Sequence, residues 1–294
     1  MKSEYHVLNL GAGVQSTALY LMFMESRVEY NGRQVKLDAA VFADTQDEPR
    51  GKGISVYEHL EWLKSLNGPP ILTRTKGRLS ADLMKGENST EQRFASIPAY
   101  TKSDGDEKEG RVRRQCSKEY KIEVIMRAIR QDILGLRKGR PVPKGVLVYQ
   151  YIGISLDEAG RAKRMLKVPG RFPKWTLPRF PLVERWITRG NCLAYLHDRC
   201  PHEVPRSACV YCPFHDDAEW LRIKASSEDW KLAVEVDEAL RRPGTVVNRK
   251  MDKSMYLHRS CQPLVQIDFK PREDLRQRQS NINFASECLG VCGV

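Results

Sequence analysis

No apolar run in the 294-residue chain approaches the length needed to cross a membrane, which argues against a helical membrane protein. The stretch MKSEYHVLNL at the start lacks the apolar core of a signal peptide, so a cytoplasmic location is expected. No internal repeat is evident, which sets aside solenoids and propellers. No Lys-Ser/Thr pair follows the first glycines, so a Walker phosphate loop is excluded. The dinucleotide fingerprint is incomplete there too: Ser16 stands where the third glycine would be, and Asp44 lies later than the ribose-binding acid should. A disulfide framework is not expected of eight cysteines in a cytoplasmic chain, which read instead as buried thiols, metal ligands or catalytic thiols.

Hydrophobic residues make up 41% of the chain, enough for a substantial core, and the formal net charge is +12. Such a charge suits a polyanionic partner such as a nucleotide or nucleic acid, or else a solvated basic surface. The first half alternates strand-like and helix-like runs. His6–Leu10, Leu37–Asp44 and Pro70–Thr75 read as strands, and Gly145–Ser155 as a central strand. Gln15–Arg27, Ile54–Leu66 and Ser117–Leu134 read as helices, the last with a serine at its cap position. The charged segment from Gly86 to Arg114, and the basic one after Ser155, read as loops. The alternation predicts an α/β fold with a doubly wound, mostly parallel sheet over residues 1–187. From 188 to 294 the chain reads as a helical, cysteine-rich extension with no further strand of convincing length.

The segment HVLNLGAGVQS places a strand, a glycine-bearing turn and a helix start in succession. Glycine permits the tight turn, and the N–H groups and dipole at a helix start favour phosphate. Gly11, Ala12, Gly13, Val14, Gln15 and Ser16 are therefore candidate nucleotide-binding residues; a plain strand-to-helix turn is the alternative. Cys209 and Cys212 form a C-x-x-C, and Cys116 can complete a metal site from a distance. A competing zinc set is Cys200, His202, Cys209 and Cys212. Cys192, within an apparent helix, reads as packing. The segment Arg171–Trp186 mixes Arg and Lys with Phe and Trp, which suits stacking on single-stranded nucleic acid or a proline-rich loop wrapping the core.

Taken in order, several elements resemble the phosphoadenosine phosphosulfate (PAPS) reductase-like group of the pyrophosphate-loop, or adenine nucleotide alpha-hydrolase, superfamily. They are the glycine turn, the Asp44-Thr45 pair, Cys116 followed by Lys121, the segment IGISLDEAGRAKR, the C-x-x-C, and Glu287-Cys288. The turn departs from the usual Ser-Gly-Gly-x-Asp-Ser at Gly11, Ala12 and Gln15. The resemblance implies ATP (or PAPS) with Mg at the turn, with Asp44, Thr45, Gly153 and Ser155 beside it. It implies a four-iron, four-sulfur cluster on Cys116, Cys209 and Cys212, and catalytic roles for Arg161 and for Cys288 or Cys292. The activity implied is adenylation of an acceptor, a nucleobase or nucleic acid, followed by sulfur or other nucleophile transfer. The alternatives are a PAPS or adenylyl-sulfate reductase using a tail cysteine and thioredoxin, and a non-catalytic binding module. The expected partners are an adenine nucleotide, nucleic acid, thioredoxin or another sulfur donor, and a second copy of the chain, with no membrane.

Overall fold

The structure, a computed structural model, describes residues 2–85, 97–102, 110–111, 115–242 and 253–270. In chain order the elements begin β1 (Glu4–Leu10), α1 (Val14–Met24), β2 (Glu29–Tyr30), β3 (Arg33–Gln34), β4 (Ala39–Asp44), α2 (Val56–Ser65), β5 (Ile71–Thr75) and α3 (Leu79–Lys85). Then come β6 (Tyr100–Lys102), β7 (Gly110–Arg111), a long helix over residues 117–133 whose centre is α4 (Glu123–Ala128), β8 (Leu147–Ile152) and α5 (Ala159–Leu166). The last are β9 (Thr176–Arg179), α6 (Pro181–Glu184), α7 (Arg189–His197), α8 (Asp217–Lys224), α9 (Ser227–Arg241) and β10 (Ser254–Tyr256).

Five strands form one parallel sheet in the order β5-β4-β1-β8-β9. Period-two alternation assigns the two faces. Leu8, Leu10, Ala40, Phe42, Tyr149 and Tyr151 face one core with α1, α2 and α7. Tyr5, Val7, Val41, Ala43 and Val148 face the other with the helix at 117–133. Helices therefore cover both faces, as a doubly wound sheet requires. Helix α1 is apolar almost all round because it lies between the sheet and α7, where Cys192 and Leu196 meet it. From β1 the chain winds outward through β4 and β5, then returns to β8 on the other side of β1. The switch point of the sheet thus lies between β1 and β8, where open α/β sheets bind ligands at their strands' carboxyl ends.

Some expectations need correction. The basic stretch after Ser155 is no loop: it forms α5, whose Ala162 and Met165 pack on Ile152, Ile154 and Phe180, and then β9. Pro178 is tolerated in β9 because β9 is an edge strand. Ser117 does not cap its helix, because Cys116 holds the N-cap position and is already helical. That helix begins and ends in π-helical turns, Ser117–Ile122 and Ile129–Ile133. Beyond Thr188 the short strand β10 pairs with β6. Helix α7 lies on α1, while α8 and α9 share a second core with Leu79, Leu83 and Tyr120.

Candidate functional site

The switch point is built around the turn after β1. Ala12 is left-handed (φ 58°) and fully buried, a conformation that favours glycine. Gly13 is the N-cap of α1, and Ser16 closes the turn: its hydroxyl donates to the Gly13 carbonyl at 3.1 Å and accepts from the Gly13 N–H at 3.2 Å. The Ser16 hydroxyl is thus engaged locally, and the helix start itself is what remains to face a phosphate. The first intrahelical bond runs from Thr17 N to Gly13 O, so the N–H groups of Val14, Gln15 and Ser16 have no partner within the helix. Gly153, just past β8, is pressed against this start; a Cβ there would stand 2.8 Å from Ser16 N and 2.9 Å from Ser16 Cα.

The Gln15 side chain is clamped from both sides. Its amide nitrogen donates to Glu158 Oε2 at 3.0 Å, and its oxygen accepts from Arg189 Nη1 at 3.3 Å. Glu158 also accepts from Arg161 Nη1 at 2.7 Å. Arg161 Nε and Arg171 Nη2 are buried without partners, and burial together with the neighbouring Arg161 lowers the Arg171 pKa. Arg161, linked through Glu158 to the glycine turn, and Arg171 near it are two guanidiniums with donors to spare, a donor set that can satisfy an anion. Ser155 is buried, and its hydroxyl lies 3.4 Å from Asp157 Oδ2.

At the end of β4, Asp44 Oδ1 accepts from Gln46 N at 2.7 Å and from the Tyr57 hydroxyl at 3.0 Å, so Asp44 serves the turn as well as the edge of the site. Thr45 Oγ1 lies 3.2 Å from Cys209 Sγ. Asp47 is buried and fully engaged, accepting from Arg78 Nε, Ser80 and the Tyr211 hydroxyl. Glu48 pairs with Lys121 at 3.1 Å and accepts from Ser207 Oγ at 3.3 Å; burial pushes its pKa up against the pull of Lys121. A polar hollow of about 180 Å³ lies beyond, between Gln46–Arg50 and α9.

Cys116, Cys209 and Cys212 line one largely apolar cavity with Thr45 and Lys121, and its free space is about 30 Å³. Burial pushes the Cys209 thiol well up. Among the described residues, no three His, Cys, Asp or Glu side chains stand where they could hold one metal ion. Thiolates sharing a single zinc sit about 3.8 Å apart, given bonds of about 2.3 Å. A cubane cluster binds each thiolate on a different iron and spreads them farther. Three cysteines around one cavity match in number a cluster with one open iron, though the walls of a space of about 30 Å³ must part to admit one. The alternative zinc set is not assembled: Cys200 packs against the α1 core, and His202 Nε2 is hydrogen-bonded at 2.9 Å to His59 Nδ1. Cys192 is buried packing, its thiol pushed up to about 12. Cys288 and Cys292 lie outside the described residues.

Sequence reading missed Glu48, Ser207, Tyr211, Arg171 and Arg189 as parts of this neighbourhood, and it named Lys121 only as the lysine downstream of Cys116. Lys121 alone carried a signal, being a lysine on the apolar face with Val124, Ile125 and Ala128. The Pro205–Cys212 segment connects the two halves of the site. Ser207 N and Pro205 O stand 3.9 Å and 4.0 Å from where a Gly13 Cβ would be, while the Ser207 hydroxyl reaches Glu48.

The fold and site define an open parallel α/β protein with a glycine-bearing turn and helix start at its switch point and, past the end of β4, a cavity lined by three cysteines. Comparison with protein-family models, curated proteins and solved structures finds no match for the chain. No helix among the described residues is long and apolar enough to cross a membrane.

Proposed function

We propose that the protein is a nucleotide-dependent enzyme of the PAPS reductase-like, pyrophosphate-loop group, and that it adenylates an acceptor oxygen on a nucleobase or nucleic acid. The observation that carries this reading is the link from the glycine turn to the cysteine cavity: Ser207 lies against Gly13 and donates to Glu48, whose ion-pair partner Lys121 lines the cavity. The start of α1 binds the phosphates of ATP with Mg, and Arg161 and Arg171 hold an outer phosphate. The acceptor oxygen attacks the α-phosphorus, the bond to the bridging oxygen breaks, and pyrophosphate leaves. A sulfur or other nucleophile then displaces AMP.

Cys116, Cys209 and Cys212 would hold a four-iron cluster, which with three protein ligands leaves one iron open to carry sulfur. Lys121, on the cavity wall, offsets thiolate charge there. The basic balance of the chain supports a nucleic-acid acceptor. The finer fold assignment, an adenine nucleotide alpha-hydrolase domain with a cysteine-rich extension, belongs to the same proposal, as do a cytoplasmic location and a homodimer.

The test is pyrophosphate release from ATP by anaerobically purified protein, with and without RNA or single-stranded DNA. Release that depends on nucleic acid is expected. Thioredoxin-dependent sulfite release from PAPS or adenylyl sulfate, without pyrophosphate, would replace this reading with a sulfonucleotide reductase. Tight nucleotide binding with neither product would reduce it to a binding module.

A further inference from the structure

We infer that Trp186 is a stacking platform for a base of single-stranded nucleic acid, set beside the nucleotide turn; the inference rests on the nucleic-acid acceptor proposed above. Helix α6 ends in a hydrogen-bond pattern that places a left-handed residue just past the cap: Trp186 N donates to Val183 O at 3.1 Å, and Ile187 N to Leu182 O at 2.8 Å. Glycine is the usual occupant of that position. Here it is Trp186, at φ 57°. The corresponding positions after α1, α2 and the helix at 117–133 hold Ser26, Asn67 and Gly135, all small. A bulky aromatic held left-handed is strained, and such strain concentrates at functional positions. The fold gains nothing from the indole in return, because Trp186 is 78% exposed.

Its placement gives it a use. Ile187 O accepts from Leu156 N just past β8, Arg189 N donates to Asp157, and Arg189 Nη1 reaches Gln15 of the turn. The platform therefore stands at the carboxyl edge of the sheet, three residues from a group that touches the candidate phosphate site. Arg185 is exposed beside it, with Nη1 donating to the Arg27 carbonyl. Helix α5 packs Ala162 and Met165 into the same small cluster as Phe180 and Val183, and turns Lys163, Arg164 and Lys167 to solvent. The nearby acids Glu184 and Asp157 are engaged with Arg179 and Arg189 N. An exposed ring among cations matches unpaired bases on a phosphate backbone, whereas a duplex keeps its base faces stacked.

The probe is a labelled single-stranded oligonucleotide of mixed sequence, with its duplex as control, followed by fluorescence anisotropy at two salt concentrations. Trp186→Ala is expected to weaken single-strand binding by about 5- to 100-fold, and Trp186→Phe to keep most of it. Trp186→Asn, which tolerates the left-handed conformation, is expected to lose binding while melting at or above the wild-type temperature. Equal binding by wild type and Trp186→Ala, with pyrophosphate release still stimulated by nucleic acid, overturns this inference and leaves the proposed function standing. Duplex bound as tightly as single strand also overturns it. A wild-type protein that binds no nucleic acid overturns both.

Discussion

Gly153→Ala puts the geometry of the switch point to a test of sign. Gly153 is not left-handed, so alanine can adopt its backbone conformation. Judged by the chain alone, the change should stabilise the protein by about 0.4–1 kcal/mol, because alanine restricts the unfolded state. The packing predicts the opposite. The new Cβ would lie 2.8 Å from Ser16 N, 2.9 Å from Ser16 Cα and 3.1 Å from the Gln15 carbonyl carbon. All three are backbone atoms, so no flexible side chain can swing away. The start of α1 must retreat by roughly 0.6–1 Å to restore ordinary contact. Overpacking of that kind costs about 1–3 kcal/mol, which outweighs the gain from the unfolded state. The retreat also moves the N–H groups that the proposed function assigns to phosphate, and a shift of about 1 Å at a reacting centre can lower a rate by about 100-fold. Urea unfolding followed by circular dichroism and titration calorimetry with ATP give the two readouts. A Gly153→Ala protein that is as stable as wild type and binds ATP equally well would refute the claim that Gly153 sets the position of the turn.

Three further outcomes are expected. Ala12→Gly should change stability by less than about 1 kcal/mol in urea unfolding, since relief of the left-handed penalty of about 1–2 kcal/mol is offset by the extra entropy of glycine and by the loss of a buried methyl worth about 0.8 kcal/mol; a loss of about 2 kcal/mol or more would show that Ala12 carries no left-handed penalty. Lys121→Met should destabilise it by about 3–5 kcal/mol by leaving Glu48 buried and unpaired, and adding Glu48→Gln should recover most of that loss; additive losses in the double mutant would show that the two do not act as a pair. His59 and His215 are buried, and burial lowers both to about 3, below the unfolded value of 6.5. Their stability contribution is present above about pH 6.5 and is lost as pH falls toward 3, by about 1.4 kcal/mol each at pH 5.5. His59→Gln should therefore flatten the acid limb of a stability-against-pH curve, and an unchanged limb would count against a neutral, buried His59.

Four of the five sheet strands were legible because each is an apolar run ending in Gly, Asp or Thr, and period-two alternation then sorted their faces. β9 was not legible, being four residues with a proline and lying at the edge, where one neighbour suffices. Helix α5 was hidden because Arg161, Lys163 and Arg164 surround the two residues that face inward. The glycine turn and the Asp44-Thr45 strand end could be placed, since their signal is local. What could not be placed were partners distant in sequence: Arg189 on Gln15, Ser207 on Glu48, and Tyr211 on Asp47. A single chain carries no mark for such pairs, because each is defined only when two segments have folded together.

The Pro205–Cys212 segment shows why such pairs matter to the chemistry. Its first residues lie over Gly13, Ser207 holds Glu48, Val210 N donates to Asp47 O at 2.9 Å, and Tyr211 donates to the Asp47 carboxylate at 2.6 Å. Cys209 in turn lies against Thr45, next to the acid at the end of β4. The segment is thus fixed at both the turn after β1 and the strand end after β4, and it carries two of the three cavity cysteines between polar anchors. A thiol or a cluster on a tail of its own would have to find the nucleotide by diffusion of that tail. On the proposed function, cysteines on a segment tied to the glycine turn need no such search, since the backbone that covers Gly13 is the backbone that presents Cys209. Loosening the anchors should therefore disturb phosphate binding and thiol placement together, and a change confined to one of them would separate two sites that the fold holds as neighbours.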